Sequence, residues 1–404
     1  MARRRLPGTR PSLLLAVLCL ALLGGCGAVA QHPSNTGAPA PDNTFNTALG
    51  QLLSAAPGSR TALAARVLNL AASRGTPVIE GDTLTFLWQG KARQVQVIGS
   101  FVPALEMRAV DGTDLWVARK QIPDLGHATL SYLLQVDDQL VRDPLSHWDP
   151  EETQPKQLTW RGNQVVVPPE IRPKSDVPHG TVQELNLESA SLGDTRKVTV
   201  YLPPGYSSRQ RYPVIYATDA QIFIGRMQLP AMLDNLIAEK RLPPLVAVCI
   251  DSNYEQRQAE YLPDGDRWDD YGSFFLDELL PQIERQFSVA GDREGRVLMG
   301  LSNGAAWSAY TAAEHPDRFR GAISLSAGLT RPEAMPAAKP GLHQQFYVVR
   351  GSLEEGFADA QQYLVKSLTD MGAQVKAVER PAGHEPVYWS EELVPALQWI
   401  FPDH

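Results

Sequence analysis

Continuous apolar runs alternate with amphipathic segments throughout the C-terminal half of the chain. The runs are RKVTVYL, RYPVIYA, PLVAVCID, RVLMGLS, GAISLSAG, QFYVVRGS and QVKAVERP, and most are separated by stretches of helical spacing such as MQLPAMLDNLIAEK and FADAQQYLVKSLTDMG. Strands that are apolar along their whole length are buried on both faces of a sheet. The pattern therefore predicts a mostly parallel sheet with helices on both faces, an α/β fold, over residues 178–404.

A different pattern precedes this region. Residues 46–74 carry apolar residues at helical spacing on either side of PGS, which predicts two short helices. From residue 77 to 167 the apolar period is two, as in TLTFLWQG, RQVQVIGSF, DLWVARKQI and TLSYLLQVD. Short strands bounded by Gly, Pro or Asp are typical of an antiparallel β-sandwich of the Ig-like, early-set kind. A helical lead-in and a sandwich are thus predicted over residues 46–170, with the proline-rich segment 167–181 as the domain boundary.

The N-terminal segment, MARRRLPGTRPSLLLAVLCLALLGGC, has a basic start, a short apolar core and small residues before a cysteine. The core is shorter than a bilayer-spanning helix of about 20 residues and is typical of a signal peptide over residues 1–25. The ending LGGC resembles the lipobox of bacterial lipoproteins, whose cysteine is acylated. We expect a lipid on Cys26, a flexible tether over residues 26–45, and a protein held to a membrane in the periplasm or cell envelope.

Charge argues against one class of function, and cysteine content argues against an intramolecular disulfide. The net charge is −8, and removal of the four arginines of the signal peptide makes it −12. An acidic body of this kind is a poor candidate for binding nucleic acid. Of the three cysteines, Cys19 leaves with the signal and Cys26 is the expected lipid site, so no intramolecular disulfide is available. Cys249, inside PLVAVCID, is expected to be a buried apolar thiol.

A serine lies between two glycines in Gly300-Leu301-Ser302-Asn303-Gly304, after the run RVLM and before a helix-like stretch. A sharp turn from strand to helix brings the two elements close together, so small residues are needed two positions before and after the serine. In a parallel sheet such a turn lies at the carboxyl end of a strand, where ligands bind. Ser302 is therefore a candidate nucleophile, although a glycine-flanked turn can also be purely structural.

A serine hydroxyl needs a general base, and the base needs an orienting carboxylate. His384 follows the last predicted strand in the loop PAGHEPVYW, and it is the best-placed histidine of the mature chain. The strand QFYVVRG runs into SLEEGFAD, which offers Glu354, Glu355 and Asp359 as the acid. The order serine, acid, histidine is that of α/β-hydrolases. The residues alone do not select among the three acids.

The region from about residue 70 to 400 resembles the enterochelin (enterobactin) esterase family, in the putative-esterase branch of the α/β-hydrolases. The resemblance rests on the ordered motifs LGDTRKVTVYLPPGY, YPVIYATDAQ, FLDELLPQIERQF, GLSNGA, PDRFRGAISLSAG and AGHEPVYW. It implies Ser302 as the nucleophile, His384 as the base and Glu354 as the acid, because the family places a carboxylate three residues after a glycine, here Gly351. This chain has Ala220 and Ala305 at two positions where the family usually has glycine.

The resemblance also implies the oxyanion donors, namely the N–H groups of Asn303 and Ala220. Arg257, Asp219 and Gln221 are predicted to contact substrate at the same end of the sheet. For Arg257 there is a structural alternative, since its charge could be paired with that of Glu260.

These features predict a serine carboxylesterase that works through an acyl-enzyme, on a small-molecule ester and without a metal or organic cofactor. Catecholate siderophore esters, whose hydrolysis releases iron, are one expected substrate class. Acetyl or feruloyl esters of carbohydrates are the alternative, because the N-terminal sandwich also resembles sugar-binding sandwiches. A lipid-anchored binding protein that keeps the fold without the activity is a third hypothesis. The oligomeric state stays open.

Overall fold

The computed structural model describes residues 44–146, 158–160, 168–329 and 343–402. The predicted signal peptide, Cys26 and almost all of the predicted tether lie outside these residues. Within the described ranges, no helix has both the length and the apolar character needed to cross a bilayer.

Two helices open the described chain, as the spacing predicted. They are α1 (Phe45–Ser54) and α2 (Arg60–Arg74). The side-chain oxygen of Thr44 caps α1 by accepting from the N–H of Thr47 at 3.2 Å. Their apolar faces form one buried cluster with residues of the following strands, Val78 and Leu87 among them. This packing attaches the helical lead-in to the first sheet.

Nine strands follow in the described part of this region. In chain order they are β1 (Val78–Glu80), β2 (Thr83–Gln89), β3 (Val95–Gly99), β4 (Leu105–Glu106), β5 (Arg108–Ala109), β6 (Leu115–Gln121), β7 (Leu130–Val136), β8 (Gln139–Val141) and β9 (Leu158–Trp160). One sheet has the order β1-β2-β6-β5; the other has the order β4-β3-β7-β8, with β9 also paired to β7. All pairings are antiparallel. The inward side chains of both sheets share one core, as expected of a sandwich.

The remaining strands of the described ranges form one eight-stranded sheet. They are β10 (Thr181–Ser189), β11 (Asp194–Leu202), β12 (Val214–Ala217), β13 (Val246–Ile250), β14 (Arg296–Leu301), β15 (Gly321–Leu325), β16 (Gln345–Gly351) and β17 (Gln374–Arg380). The order is β10-β11-β13-β12-β14-β15-β16-β17. The pairs β10–β11 and β11–β13 are antiparallel, and every later pair is parallel. The sheet is therefore mostly parallel, as predicted.

Helices cover both faces of this sheet. They are α3 (Leu229–Ala238), α4 (Arg257–Tyr261), α5 (Trp268–Ser273), α6 (Leu280–Gln286), α7 (Asn303–Glu314), α8 (Ala358–Asp370) and α9 (Pro386–Ile400). Two large apolar clusters lie on opposite faces of the sheet, one containing α6 and α7 side chains and the other containing those of α3 and α9. Cys249 is fully buried in the second cluster, and burial raises the pKa of its thiol to about 12, so it is the inert thiol predicted.

Candidate active site

Ser302 occupies the turn between β14 and α7. Its backbone has φ 54° and ψ −126°, a conformation outside the regions that non-glycine residues normally adopt. Its N–H donates to the carbonyl of Leu325 at 2.9 Å, and its own carbonyl accepts from the N–H of Gly328 at 2.9 Å. These bonds tie the turn to the end of the neighbouring strand. A strained residue held in this way is typical of a functional position.

The glycines around Ser302 are required by close packing. A Cβ on Gly300 would overlap the backbone of Gly304, and a Cβ on Gly304 would overlap the side chain of Thr218. The motif therefore does what its spacing predicted, since it lets strand and helix approach each other. Ala305, where the family usually has glycine, is fully buried in the apolar cluster beneath α7.

His384 and Glu354 form a buried pair at the same end of the sheet. The Nδ1 atom of His384 lies 2.7 Å from Oε1 of Glu354, and the other carboxylate oxygen of Glu354 accepts from the N–H of Gly351 at 2.9 Å. Glu354 has no exposed surface, and His384 is 6% exposed. A carboxylate at Nδ1 fixes the tautomer in which Nε2 is the free acceptor, which is the form that a general base needs.

The other two candidate acids lie elsewhere. Glu355 is exposed and pairs with Lys120, whose Nζ lies 2.6 Å from its Oε1. Asp359 is exposed in the first turn of α8. Of the three, Glu354 is the acid that the structure brings to His384. His179, another histidine of the chain, pairs with Asp234, its Nδ1 atom lying 3.0 Å from Oδ2.

Aromatic side chains that were not predicted from the sequence pack around the imidazole of His384. The ring of Trp389 meets that of His384 edge-on, with centroids 4.9 Å apart, and the ring of Phe357 lies at 5.4 Å. The indole N–H of Trp389 donates to the hydroxyl of Ser326 at 2.9 Å. Packing of this kind restricts the imidazole to one orientation. The motif AGHEPVYW contained the tryptophan, but nothing in it indicated that the indole would face the histidine.

The two predicted oxyanion donors both lie at the beginning of a helical segment. Asn303 is the first residue of α7, and Ala220 immediately precedes a π-helical segment over Gln221–Arg226. The first N–H groups of a helix have no intrahelical acceptor and carry partial positive charge. Both groups can thus serve an oxyanion, and their assignment stays a prediction.

Arg257 and Asp219 form a bidentate ion pair beneath this region. Nε of Arg257 lies 2.6 Å from Oδ1 of Asp219, and one of its terminal nitrogens lies 2.9 Å from Oδ2. The same nitrogen donates to the carbonyl of Leu301 at 3.1 Å. The arginine therefore joins the residue before Ala220 to the residue before Ser302. Glu260, the predicted structural partner of Arg257, forms ion pairs with Arg196 and Arg267.

Gln221 joins two more loops of the same edge. Its amide nitrogen donates to the hydroxyl of Ser252, and its amide oxygen accepts from the N–H of that residue at 3.2 Å. All three residues predicted to contact substrate thus hold the protein's own loops together. Their role in substrate binding stays a prediction.

Glu385, next to His384, is a second buried acid. It has no exposed surface, and burial raises its pKa to about 8. The charge of Glu391 also raises this pKa, whereas the Ser131 hydroxyl, the Tyr388 N–H and Arg226 lie near enough to lower it. Among the described residues, none makes a hydrogen bond of normal geometry to either carboxyl oxygen. Burial thus favours the neutral form of Glu385.

Residues 189–400, just over half of the chain, match the family model described as putative esterase. The protein YjcH of Bacillus subtilis is 25% identical over 237 residues, which are 54% of this chain and 97% of that protein. An endo-1,4-beta-xylanase/feruloyl esterase of Xylanibacter ruminicola is 25% identical over 56% of this chain and 32% of its own length. The iron(III) enterobactin esterase of Dickeya dadantii is 24% identical over 61% of this chain and 59% of its own length.

The fold is shared with a solved structure over a longer span. Enterochelin esterase from Shigella flexneri superimposes with a TM-score of 0.59 and 19% identity, covering 80% of this chain and 94% of that one. The superposition thus includes sandwich and α/β sheet, whereas the family model matches the α/β part alone. The chain therefore belongs to the putative esterase family and is a carboxylic ester hydrolase with the α/β-hydrolase fold.

Proposed function

We propose that the chain hydrolyses esters through an acyl-enzyme on Ser302. The observation that carries this proposal is the buried bond between His384 Nδ1 and Glu354, at the edge of the sheet where Ser302 occupies a strained turn. Nucleophile, base and acid follow one another in the chain order of the α/β-hydrolases.

In the proposed mechanism, Nε2 of His384 takes the proton of the Ser302 hydroxyl as its oxygen attacks the ester carbonyl. The N–H groups of Asn303 and Ala220 stabilise the oxyanion, and the negative charge of Glu354 stabilises the imidazolium. Collapse of the intermediate expels the alcohol, which receives the proton from His384. Water then attacks the acyl-enzyme with the same base, and the free acid leaves.

Replacement of the nucleophile tests this proposal. Ser302→Ala is expected to lower kcat/KM for an activated ester such as p-nitrophenyl acetate by roughly 10³-fold or more. A fluorophosphonate should add one covalent group to the parent protein and none to the variant, as read by intact mass. Ser54→Ala, on the exposed side of α1, is the matched control. Hydrolysis by Ser302→Ala at the parent's rate would contradict the proposal and favour a non-catalytic binding protein.

For the substrate we propose a catecholate siderophore ester, with iron as cargo. Support comes from architecture, since the solved enterochelin esterase shares both the sandwich and the α/β part of this chain. The enterobactin esterase of Dickeya dadantii is also a relative by sequence.

A carbohydrate ester is the second candidate. It is favoured by the ion pair of Arg257, whose charge is matched by Asp219 and so offers less attraction to a highly anionic siderophore. The relationship to a feruloyl esterase agrees with this alternative. Hydrolysis of ferric enterobactin should be compared with that of feruloylated and acetylated xylo-oligosaccharides, using Ser302→Ala as the blank. Turnover of only one of these ester classes would identify the substrate class. If none of the esters is hydrolysed, both substrate proposals are rejected.

We also propose that a lipid on Cys26 tethers the protein to a membrane in the cell envelope. The basic start, the short apolar core and LGGC support this proposal. The full-length chain is expected to fractionate with membranes and to incorporate labelled palmitate. Cys26→Ala should incorporate no label, and a variant that is still labelled would contradict the proposal.

A further inference from the structure

The N-terminal sandwich contacts both loops that carry the His384–Glu354 pair. The acid loop is residues 351–357 and the histidine loop is residues 381–385. The two loops are joined directly, since the N–H of Leu353 donates to the carbonyl of Ala382 at 3.0 Å. A displacement of either loop would therefore displace the other.

Val102 of the sandwich holds the acid loop on both sides of Glu354. The N–H of Val102 donates to the carbonyl of Leu353 at 3.1 Å, and its carbonyl accepts from the N–H of Gly356 at 2.8 Å. The side chain of Leu353 is buried inside the sandwich core. The residues that flank Glu354 are thus anchored in the other domain.

Thr129 and Ser100 hold the histidine loop. The N–H of Thr129 donates to the carbonyl of Pro381 at 2.9 Å, and Thr129 pairs with Ala382 as a parallel bridge. Ser100 packs directly against Gly383, the residue before His384, and a Cβ on Gly383 would overlap the Cα, Cβ and carbonyl oxygen of Ser100. The backbone of Gly383 does not have the positive φ that only glycine adopts readily. The need for glycine at 383 therefore comes from the sandwich.

Ser100 is itself fixed. It is fully buried, its N–H donates to the carbonyl of Ser131 at 2.9 Å, and its hydroxyl accepts from the N–H of Ser131 at 2.7 Å. Both bonds lead to β7, a strand of the sandwich core. Gly383 thus packs against a residue that is itself hydrogen-bonded to the core of the first domain.

We infer that the sandwich is part of the catalytic centre, with Ser100 as a positioning residue that sets the location of the His384–Glu354 pair relative to Ser302. This inference rests on the proposed function of those three residues. Contact with Ser100 determines where the histidine loop lies, and a displacement of about 1 Å in a catalytic group can cost on the order of 100-fold in rate.

Gly383→Ala in the full-length protein tests the inference, because the three atoms nearest to the added methyl all belong to Ser100 of the sandwich. We expect kcat for p-nitrophenyl acetate to fall about 100-fold with KM little changed. The low-field proton resonance of the imidazole N–H that is bonded to Glu354 should shift or disappear. Gly126→Ala is the control, since it lies in the sandwich with open space around it; it should keep both kcat and the resonance.

Ser100→Ala is the milder variant and decides the matter if Gly383→Ala does not fold. It removes the hydroxyl that holds Ser131 but adds no bulk, so we expect kcat to fall about tenfold with the same change in the resonance. A parent-like kcat and an unchanged resonance in the folded variants would overturn the inference, provided that Ser302→Ala is inactive. An active Ser302→Ala would instead overturn the proposed function.

Discussion

A candidate catalytic acid and a surface acid lie next to each other in this chain. The acids concerned are Glu354, Glu355 and Asp359. One peptide unit separates Glu354, which has no exposed surface, from Glu355, whose side chain is 59% exposed. The sequence limited the acid to these three residues, but which of them points inward depends on the turn after β16. Backbone conformation there is set by contacts with the sandwich and the histidine loop, and these are distant in sequence.

Neutralising Glu354 should remove most of the activity. Glu354→Gln keeps the shape of the side chain but loses the charge that stabilises the imidazolium, so kcat for p-nitrophenyl acetate is expected to fall by about 10²–10⁴-fold. Asp359→Asn is the matched control on the exposed side of α8 and should stay within about twofold of the parent. Equal activity of the two variants would exclude Glu354 as the acid.

Glu385 should make the protein less stable as the pH rises. Its pKa is 4.5 in an ordinary setting and about 8 in the folded chain, because burial disfavours the charge. Between these values the native state holds a proton that the unfolded state has lost, so the free energy of unfolding falls with increasing pH. From pH 5 to 8 the loss is roughly 3 kcal/mol.

Glu385→Gln removes this titration while keeping a neutral side chain of the same size. Urea unfolding at pH 5 and pH 8 should show a smaller decrease in the free energy of unfolding for Glu385→Gln than for the parent. Glu188→Gln, exposed on β10, should behave like the parent. If the parent and Glu385→Gln lose stability equally over this range, the carboxyl is charged in the folded state.

At the scale of elements, periodicity predicted most of the fold but not its connections. Continuous apolar runs were found as β11 to β17, whereas β10 was missed because most of its side chains are exposed and carry no apolar run. Ion pairing between the loops at the carboxyl end of the sheet was likewise not predictable from periodicity. The structural partner predicted for Arg257 was Glu260, whereas the structure pairs it with Asp219, which lies 38 residues earlier.

Arg257 links the segment after β12 to the end of β14, so its loss should cost stability as well as rate. Arg257→Gln leaves the Asp219 carboxylate buried without its ion-pair partner, which should lower the free energy of unfolding by about 3–5 kcal/mol. Asp219→Asn combined with Arg257→Gln should recover part of this loss, because asparagine tolerates the positive φ of this position. Urea unfolding of the variants measures the coupling, with exposed Arg285→Gln as control. If the losses in the free energy of unfolding caused by the two substitutions simply add, the pair does not link the two elements.

On the scale of the whole molecule, the sequence predicted two domains, and the structure shows that they share buried residues. Leu353 belongs to the α/β part by chain position and to the sandwich core by packing. A periodic pattern does not predict such a contact, because the contact depends on how two folded surfaces pack together. Hydrophobic contacts and backbone hydrogen bonds between the domains should therefore couple their unfolding.

Leu353→Ala should reveal this coupling. The parent protein is expected to unfold in one calorimetric transition, and the cavity left in the sandwich core should lower the free energy of unfolding by about 2–4 kcal/mol. Because Leu353 also flanks Glu354, kcat should fall in the same variant at temperatures where it is fully folded. Leu53→Ala is the matched control, since Leu53 is 46% exposed on α1. Two separate transitions, with kcat unaffected in Leu353→Ala, would mean that the domains fold independently and that the sandwich does not hold the acid loop.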